Sequence, residues 1–296
     1  FMGKDKIIKL ITKTGFVTLF FIYSSFLYFD FYFSDDNGRG DIIEQHKTNL
    51  QSLQDHKTQI TGLILGGSNA FYGLSAEQLS ENLEHHYFYN LALLNQGYSS
   101  KNYLLFLKEM ASIIDLDSVQ IILFSDIYIF YKKPRRIKNN LSITGKASFS
   151  FFPQVSLVSY IGNILNKTGK KYFLNKKLFG DFDFKKFNCK GISYSGTERG
   201  DIFSKIKQSI YYQDKISEIF PKAKIYFVTP TLYRENVNVF DDYLSELQTE
   251  YEKENLHLII QTHKSDLDFF CDTEHHPNFE GRKIRTAEIL ELIRIY

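Results

Sequence analysis

The chain has 296 residues, 43% hydrophobic and 24% charged, the balance of a folded chain of one large or two modest domains. Lys and Arg number 36 against 34 Asp and Glu, a net charge of +2, which removes the basic surplus that a dedicated nucleic-acid binder turns toward phosphates. Two cysteines, Cys189 and Cys271, exclude a Cys-only zinc site and a disulfide scaffold.

Residues 14–33 read TGFVTLFFIYSSFLYFDFYF, with Asp30 as the only charge. At about 1.5 Å per residue this stretch just spans a hydrocarbon core of roughly 30 Å, and residues 1–33 are therefore expected to be an N-terminal membrane anchor. Lys4, Lys6, Lys9 and Lys13 precede it and Asp35 and Asp36 follow, which orients the remainder toward the cell exterior or periplasm as a single-pass protein. Asp30 also suits the rival reading, an apolar helix packed on the protein's own domain. Residues 34–60 are polar and read as a juxtamembrane linker.

From 61 onward short apolar runs take over: GLILGG (62–67), HYFYNLAL (86–93), VQIILFS (119–125), AKIYFVTP (223–230) and LHLIIQ (256–261). Each has the length of a strand, and continuous apolar runs are the mark of strands buried on both faces. Segments of helical period lie between or after them at 75–83, 101–114, 202–220, 240–254 and 279–293. Ser75 with Gln78 three residues later is a capping-box signal. Alternation of this kind predicts an α/β fold, a three-layer αβα sandwich with about five parallel strands. Residues 131–200 interrupt it with KKPRR, SFSFFP and a second basic-aromatic stretch. They read as an insertion within a domain covering 61–296, too long for a bare connection.

Ligands of open parallel sheets bind at the carboxyl ends of the strands. The runs deliver Gly66-Gly67-Ser68-Asn69, then Asn90-Leu91-Ala92 leading to Gly97, Ser125-Asp126, and Thr229-Pro230 to that end. The last loop adds Asp272-Thr273-Glu274-His275-His276-Pro277-Asn278. A serine needs a base to become a nucleophile, and histidine with a carboxylate behind it supplies one. Donors must also face the developing oxyanion; the N–H groups of Ser68 and Gly97 are the candidates. Taken singly, Ser68 is as well explained as a turn residue and Asn278 as the cap of the last helix. Adjacent histidines rarely share one ion, so the metal reading of Asp272, Glu274, His275 and His276 is the weaker one. Cys271 reads as a small buried residue. An exported domain permits a Cys189–Cys271 disulfide, although nothing else in the sequence calls for it.

GGSN followed by FYGLSAEQLSE, the YNLAL segment through Gly97, and DTEHHPNFEGRKIRT together resemble the SGNH hydrolases, or GDSL-type esterases. The resemblance is closest to their membrane-anchored, polysaccharide-modifying members. It implies a flavodoxin-like SGNH fold and serine-dependent esterase or O-acyltransferase activity, with acetyl the expected acyl group. It implies no metal and no organic cofactor. Its partners would be an acylated glycan or acyl donor, and a membrane protein that brings the acyl group outward. Carried over, Ser68 is the nucleophile, His276 the base in a His-x-Asn-x-x-Gly ending, Asp272 the acid and Gly97 an oxyanion donor. The usual Asp-x-x-His spacing pairs Asp272 with His275, so His275 stands as the alternative base. The family's Gly-x-Asn-Asp block falls on Leu123-Phe124-Ser125-Asp126, leaving Ser125 or Asn69 to replace the missing asparagine. The same loss also suits a domain that keeps the fold and only binds glycan or scaffolds a complex.

Overall fold

The computed structural model describes residue 53 and residues 60–93, 100–131, 179–181, 199–231, 237–261, 267–271 and 275–295. All of them lie within the unit formed by Ile42–Gln154 and Tyr172–Tyr296. The expected anchor at 1–33 and most of the linker and insertion fall outside the described residues. Among the described residues, no helix is long and apolar enough to cross a membrane.

Five strands form one parallel sheet: β1 (Gly62–Gly66), β2 (Phe88–Asn90), β3 (Ile121–Ser125), β4 (Lys224–Val228) and β5 (His257–Ile259). Each falls inside an apolar run of the sequence. The spatial order is β2-β1-β3-β4-β5, with Gly66 level with Ser125 across the β1–β3 pair. The chain therefore winds one way from β1 to β2 and the other way from β3 onward. The crevice above the reversal, between the carboxyl ends of β1 and β3, is where a doubly wound sheet holds its ligand.

Seven helices among the described residues cover the sheet: α1 (Ser68–Gly73), α2 (Ala76–Asn82), α3 (Ser100–Ala111), α4 (Ile127–Phe130), α5 (Ile202–Ile219), α6 (Val237–Lys253) and α7 (Phe279–Ile295). Side chains alternate across a strand, and the strands divide their residues accordingly. Leu63, Leu65, Ile122, Phe124, Ile225, Phe227 and Leu258 join the core under α3, α5 and α6. Ile64, Leu123, Tyr226, Val228 and Ile259 join a smaller one under α1, α2 and α7.

Ser75 caps α2 as its spacing predicts, accepting a hydrogen bond from the Gln78 amide at 3.2 Å. The insertion contributes a second cap that the sequence did not announce. Asp181 is fully buried and accepts from the Ala76 amide at 2.8 Å, the Glu77 amide at 3.0 Å and the Ser75 hydroxyl at 2.8 Å. Its carboxylate meets both the unpaired amides and the positive end of the helix. At least this part of 131–200 belongs to the domain core.

Candidate active site

Strand β1 ends in a turn that only glycine permits at its first position. Gly66 has φ +123°, and a Cβ there would lie 1.9 Å from the Ser125 carbonyl oxygen. The Gly66 amide donates to the Tyr103 hydroxyl at 2.7 Å and the Gly67 amide to the Ser125 carbonyl at 3.1 Å, so the backbone is held against β3. Burial pushes Tyr103 well above the usual phenol range, with the Gly66 bond acting against it and Tyr212 and Asp126 adding to it. The hydroxyl thus stays protonated and serves as an acceptor. Ser68 is the first residue of α1, half-buried at the rim. The Ala70 and Phe71 amides bond to the Gly67 carbonyl, and the helical ladder makes no use of the Ser68 and Asn69 amides that open it.

His276 arrives from the other end of the chain. Its loop is pinched by the Phe270–Pro277 bridge, by the Cys271 amide on the His276 carbonyl at 2.8 Å and by the Asn278 amide on the Phe269 carbonyl at 2.8 Å. Asn278 caps α7, its side-chain oxygen accepting from the Gly281 amide at 3.0 Å. With its backbone fixed at both sides, His276 places Nε2 2.8 Å from Ser68 Oγ. Tyr72, one helical turn beyond Ser68, packs its ring against the imidazole at a centroid distance of 4.8 Å. His275 goes elsewhere, stacked with buried Tyr131 at 6.3 Å. Of the two adjacent imidazoles, His276 is the one that meets the serine.

The residues considered for the missing asparagine sit beneath the serine. Ser125 is fully buried and Asn69 is 1% exposed. Asn69 Nδ2 donates to Ser125 Oγ at 2.8 Å, and a second donor comes from Arg285. This arginine, 0% exposed, sends Nη2 to Ser125 Oγ at 3.0 Å and to the Thr229 carbonyl at 2.8 Å, and Nη1 to the Asn69 carbonyl at 2.8 Å. Ser125 therefore faces inward, with its hydroxyl oxygen taking two bonds from behind the site. Burial draws the Arg285 guanidinium down to about 9, while Glu288 and Tyr131 act to hold its proton.

Arg285 was missed in the sequence because arginine in a helix ordinarily marks the solvent face. The signal was its register: Arg282, Arg285, Ile289 and Ile293 recur at helical spacing, and all are buried. Asp272 and Gly97 lie outside the described residues. Cys271 is buried, as its reading as a small buried residue expects, and it is disulfide-bonded. The chain's other cysteine, Cys189, lies outside the described residues.

No family model matches the chain, and no curated protein does. Solved structures do resemble it. A family two carbohydrate esterase from Clostridium thermocellum in complex with cellohexaose is 10% identical with a TM-score of 0.43, over 81% of this chain and 65% of that one. A carbohydrate esterase family 2 enzyme with its carbohydrate-binding domain, from Corynascus thermopiles, is 11% identical at 0.41, over 80% and 66%. The lipopolysaccharide acetyltransferase periplasmic domain of Salmonella ser. Paratyphi A is 11% identical at 0.39, over 86% and 97%. The chain thus spans just under two thirds of the length of the two esterases.

Proposed function

We propose that the protein is a serine-dependent esterase or O-acyltransferase that acts on a cell-surface polysaccharide through an acyl-Ser68 intermediate. The observation that carries the reading is the 2.8 Å approach of His276 Nε2 to Ser68 Oγ, made across 208 residues of sequence at the carboxyl edge of the sheet. A general base must stand within about 2.6–3.2 Å of the proton it takes.

In the first half-reaction Oγ attacks the ester carbonyl carbon as Nε2 accepts the hydroxyl proton. The tetrahedral intermediate collapses with cleavage of the bond to the leaving oxygen, which takes that proton from the imidazolium. In the second half-reaction water or a sugar hydroxyl gives its proton to Nε2, attacks acyl-Ser68 and releases the serine, which takes the proton back. Water yields hydrolysis and a sugar hydroxyl yields transfer. Asp272 is assigned to orient the imidazole, and the Ser68 and Gly97 amides to receive the oxyanion. Each such donor is worth on the order of 10²–10³ in rate. Glycan as the substrate rests on the sequence resemblance of the GGSN and HHPN segments. An anchor at 14–33 would hold the domain at the outer membrane surface, where a membrane partner can deliver acyl groups.

Hydrolysis of p-nitrophenyl acetate, followed by mass spectrometry of acetylated oligosaccharides, separates the outcomes. The wild type is expected to release p-nitrophenol, and Ser68→Ala to lose at least about 10⁴-fold in rate with an unchanged melting temperature. Equal rates in the two proteins would leave a glycan-binding or scaffold domain in its place.

A further inference from the structure

The guanidinium of Arg285 is buried directly behind the turn that carries the serine. Its hydrogen bonds reach the carboxyl ends of three strands: the Asn69 carbonyl just beyond β1, the Ser125 hydroxyl at the end of β3, and the Thr229 carbonyl just beyond β4. Space for it is built in. Gly73 closes α1 over the guanidinium, and a Cβ at that position would lie 2.1 Å from Nη1. A charge sealed inside a domain is costly unless it is well bonded. Here the bonds converge on the residue after Ser68 and on the serine that stands where the resemblance expects an asparagine.

We propose that Arg285 is a positioning residue for acyl transfer at Ser68. By gripping the Asn69 carbonyl it fixes the first turn of α1, and with it the direction of Ser68 Oγ and of the Ser68 amide. By gripping Ser125 and Thr229 it ties that turn to β3 and β4 from the interior. The group touches neither substrate nor reacting atoms, so its loss acts on the chemical step and leaves ligand affinity in place. The inference rests on Ser68 being the nucleophile.

The test is the kinetics of Ser68 phosphonylation by a fluorophosphonate, in which the Oγ–P bond forms and fluoride leaves, resolved into probe affinity and maximal rate. Arg285→Lys keeps the charge and loses the fork, whereas Gly73→Ala pushes the guanidinium from the other side and leaves it chemically intact. Both are expected to lower the maximal rate by about 10²-fold, the order expected when a reacting group is misplaced by about 1 Å, with affinity within about twofold. Phe220→Leu, in the opposite core, controls for general loss of stability and should keep the wild-type rate. Should Arg285→Lys fail to fold, Gly73→Ala decides alone. Undiminished rates in the folded variants, a loss confined to affinity, or an equal loss in Phe220→Leu would each overturn the inference while leaving the Ser68 reading intact. A wild type that takes up no probe would overturn both.

Discussion

Under α3, α5 and α6 the sheet is covered by interlocked rings. Phe124 packs edge-on against Phe227 and beside Tyr212, Tyr251 lies against Phe130 and Phe227, and Tyr131 against Phe240. Under α1, α2 and α7 the cover is smaller and more aliphatic, and it surrounds a buried arginine with bonds to two carbonyls and a hydroxyl. Ser68 stands on a helix of this second face, and the loop of His276 leads into another. Hydrophobic burial is large and non-directional, so the first face stabilises chiefly through buried area, with Tyr103 as its directional contact to the turn at Gly66. Buried polar groups must be satisfied in one geometry. The second face spends stability on directing a hydroxyl.

Alkaline pH is expected to have the largest effect, and to act through the first face. Burial pushes Tyr131, Tyr212 and Tyr251 far above the ordinary phenol value and Tyr243 up to about 12. The unfolded chain releases these protons near pH 10 while the folded one keeps them. Their stabilisation is therefore complete below pH 10 and is lost as pH rises through the folded values. Arg285 works in the opposite sense, since its depressed value relieves a cost as pH climbs above about 9, but it is one group against these four and Tyr103. The phenolate absorbance of these four, isolated by Tyr→Phe difference spectra, should consequently appear only as the circular dichroism is lost above pH 10. Ionisation of these four near pH 10 in a still-folded protein would break the contrast between the faces.

Phe124→Ala should come next, costing about 3–5 kcal/mol in urea unfolding while the surviving folded fraction retains its rate of ester hydrolysis per molecule. Asp181→Ala probes the edge of the second face. It strips three donors of their shared acceptor at the start of α2 and should cost about 2 kcal/mol, again with modest change in the hydrolytic rate. An activity loss that exceeds the stability loss in either variant would show that the two roles are not divided between the faces.

The sheet was legible because strands buried on both sides must be continuous apolar runs, and GLILGG, VQIILFS and AKIYFVTP are such runs. The pairing of Ser68 with a C-terminal imidazole was legible as chemistry, from residue types at strand ends. Between the two imidazoles the His-x-Asn-x-x-Gly ending pointed to His276 and the Asp-x-x-His spacing to His275; residue type alone does not separate them, because adjacent residues diverge by the local backbone, here fixed by the Phe270–Pro277 bridge. SNAFYG did not read as a helix, being only six residues long and ended by glycine, and its packing on α7 lay beyond local pattern. Ser125 read as a donor toward the opening, whereas the partner that turns it inward, Arg285, is 160 residues away. Asp181 escaped for the same reason, since it caps a helix more than 100 residues upstream.

The central claim is that the Ser68 hydroxyl is activated by His276. Peptide mapping of the full chain after treatment with a fluorophosphonate tests it directly. A single adduct on the peptide containing Ser68, absent in Ser68→Ala, strongly slowed in His276→Ala and unaffected in His275→Ala, is the predicted result. A folded protein that carries no adduct at Ser68, or one labelled equally fast without His276, would contradict it.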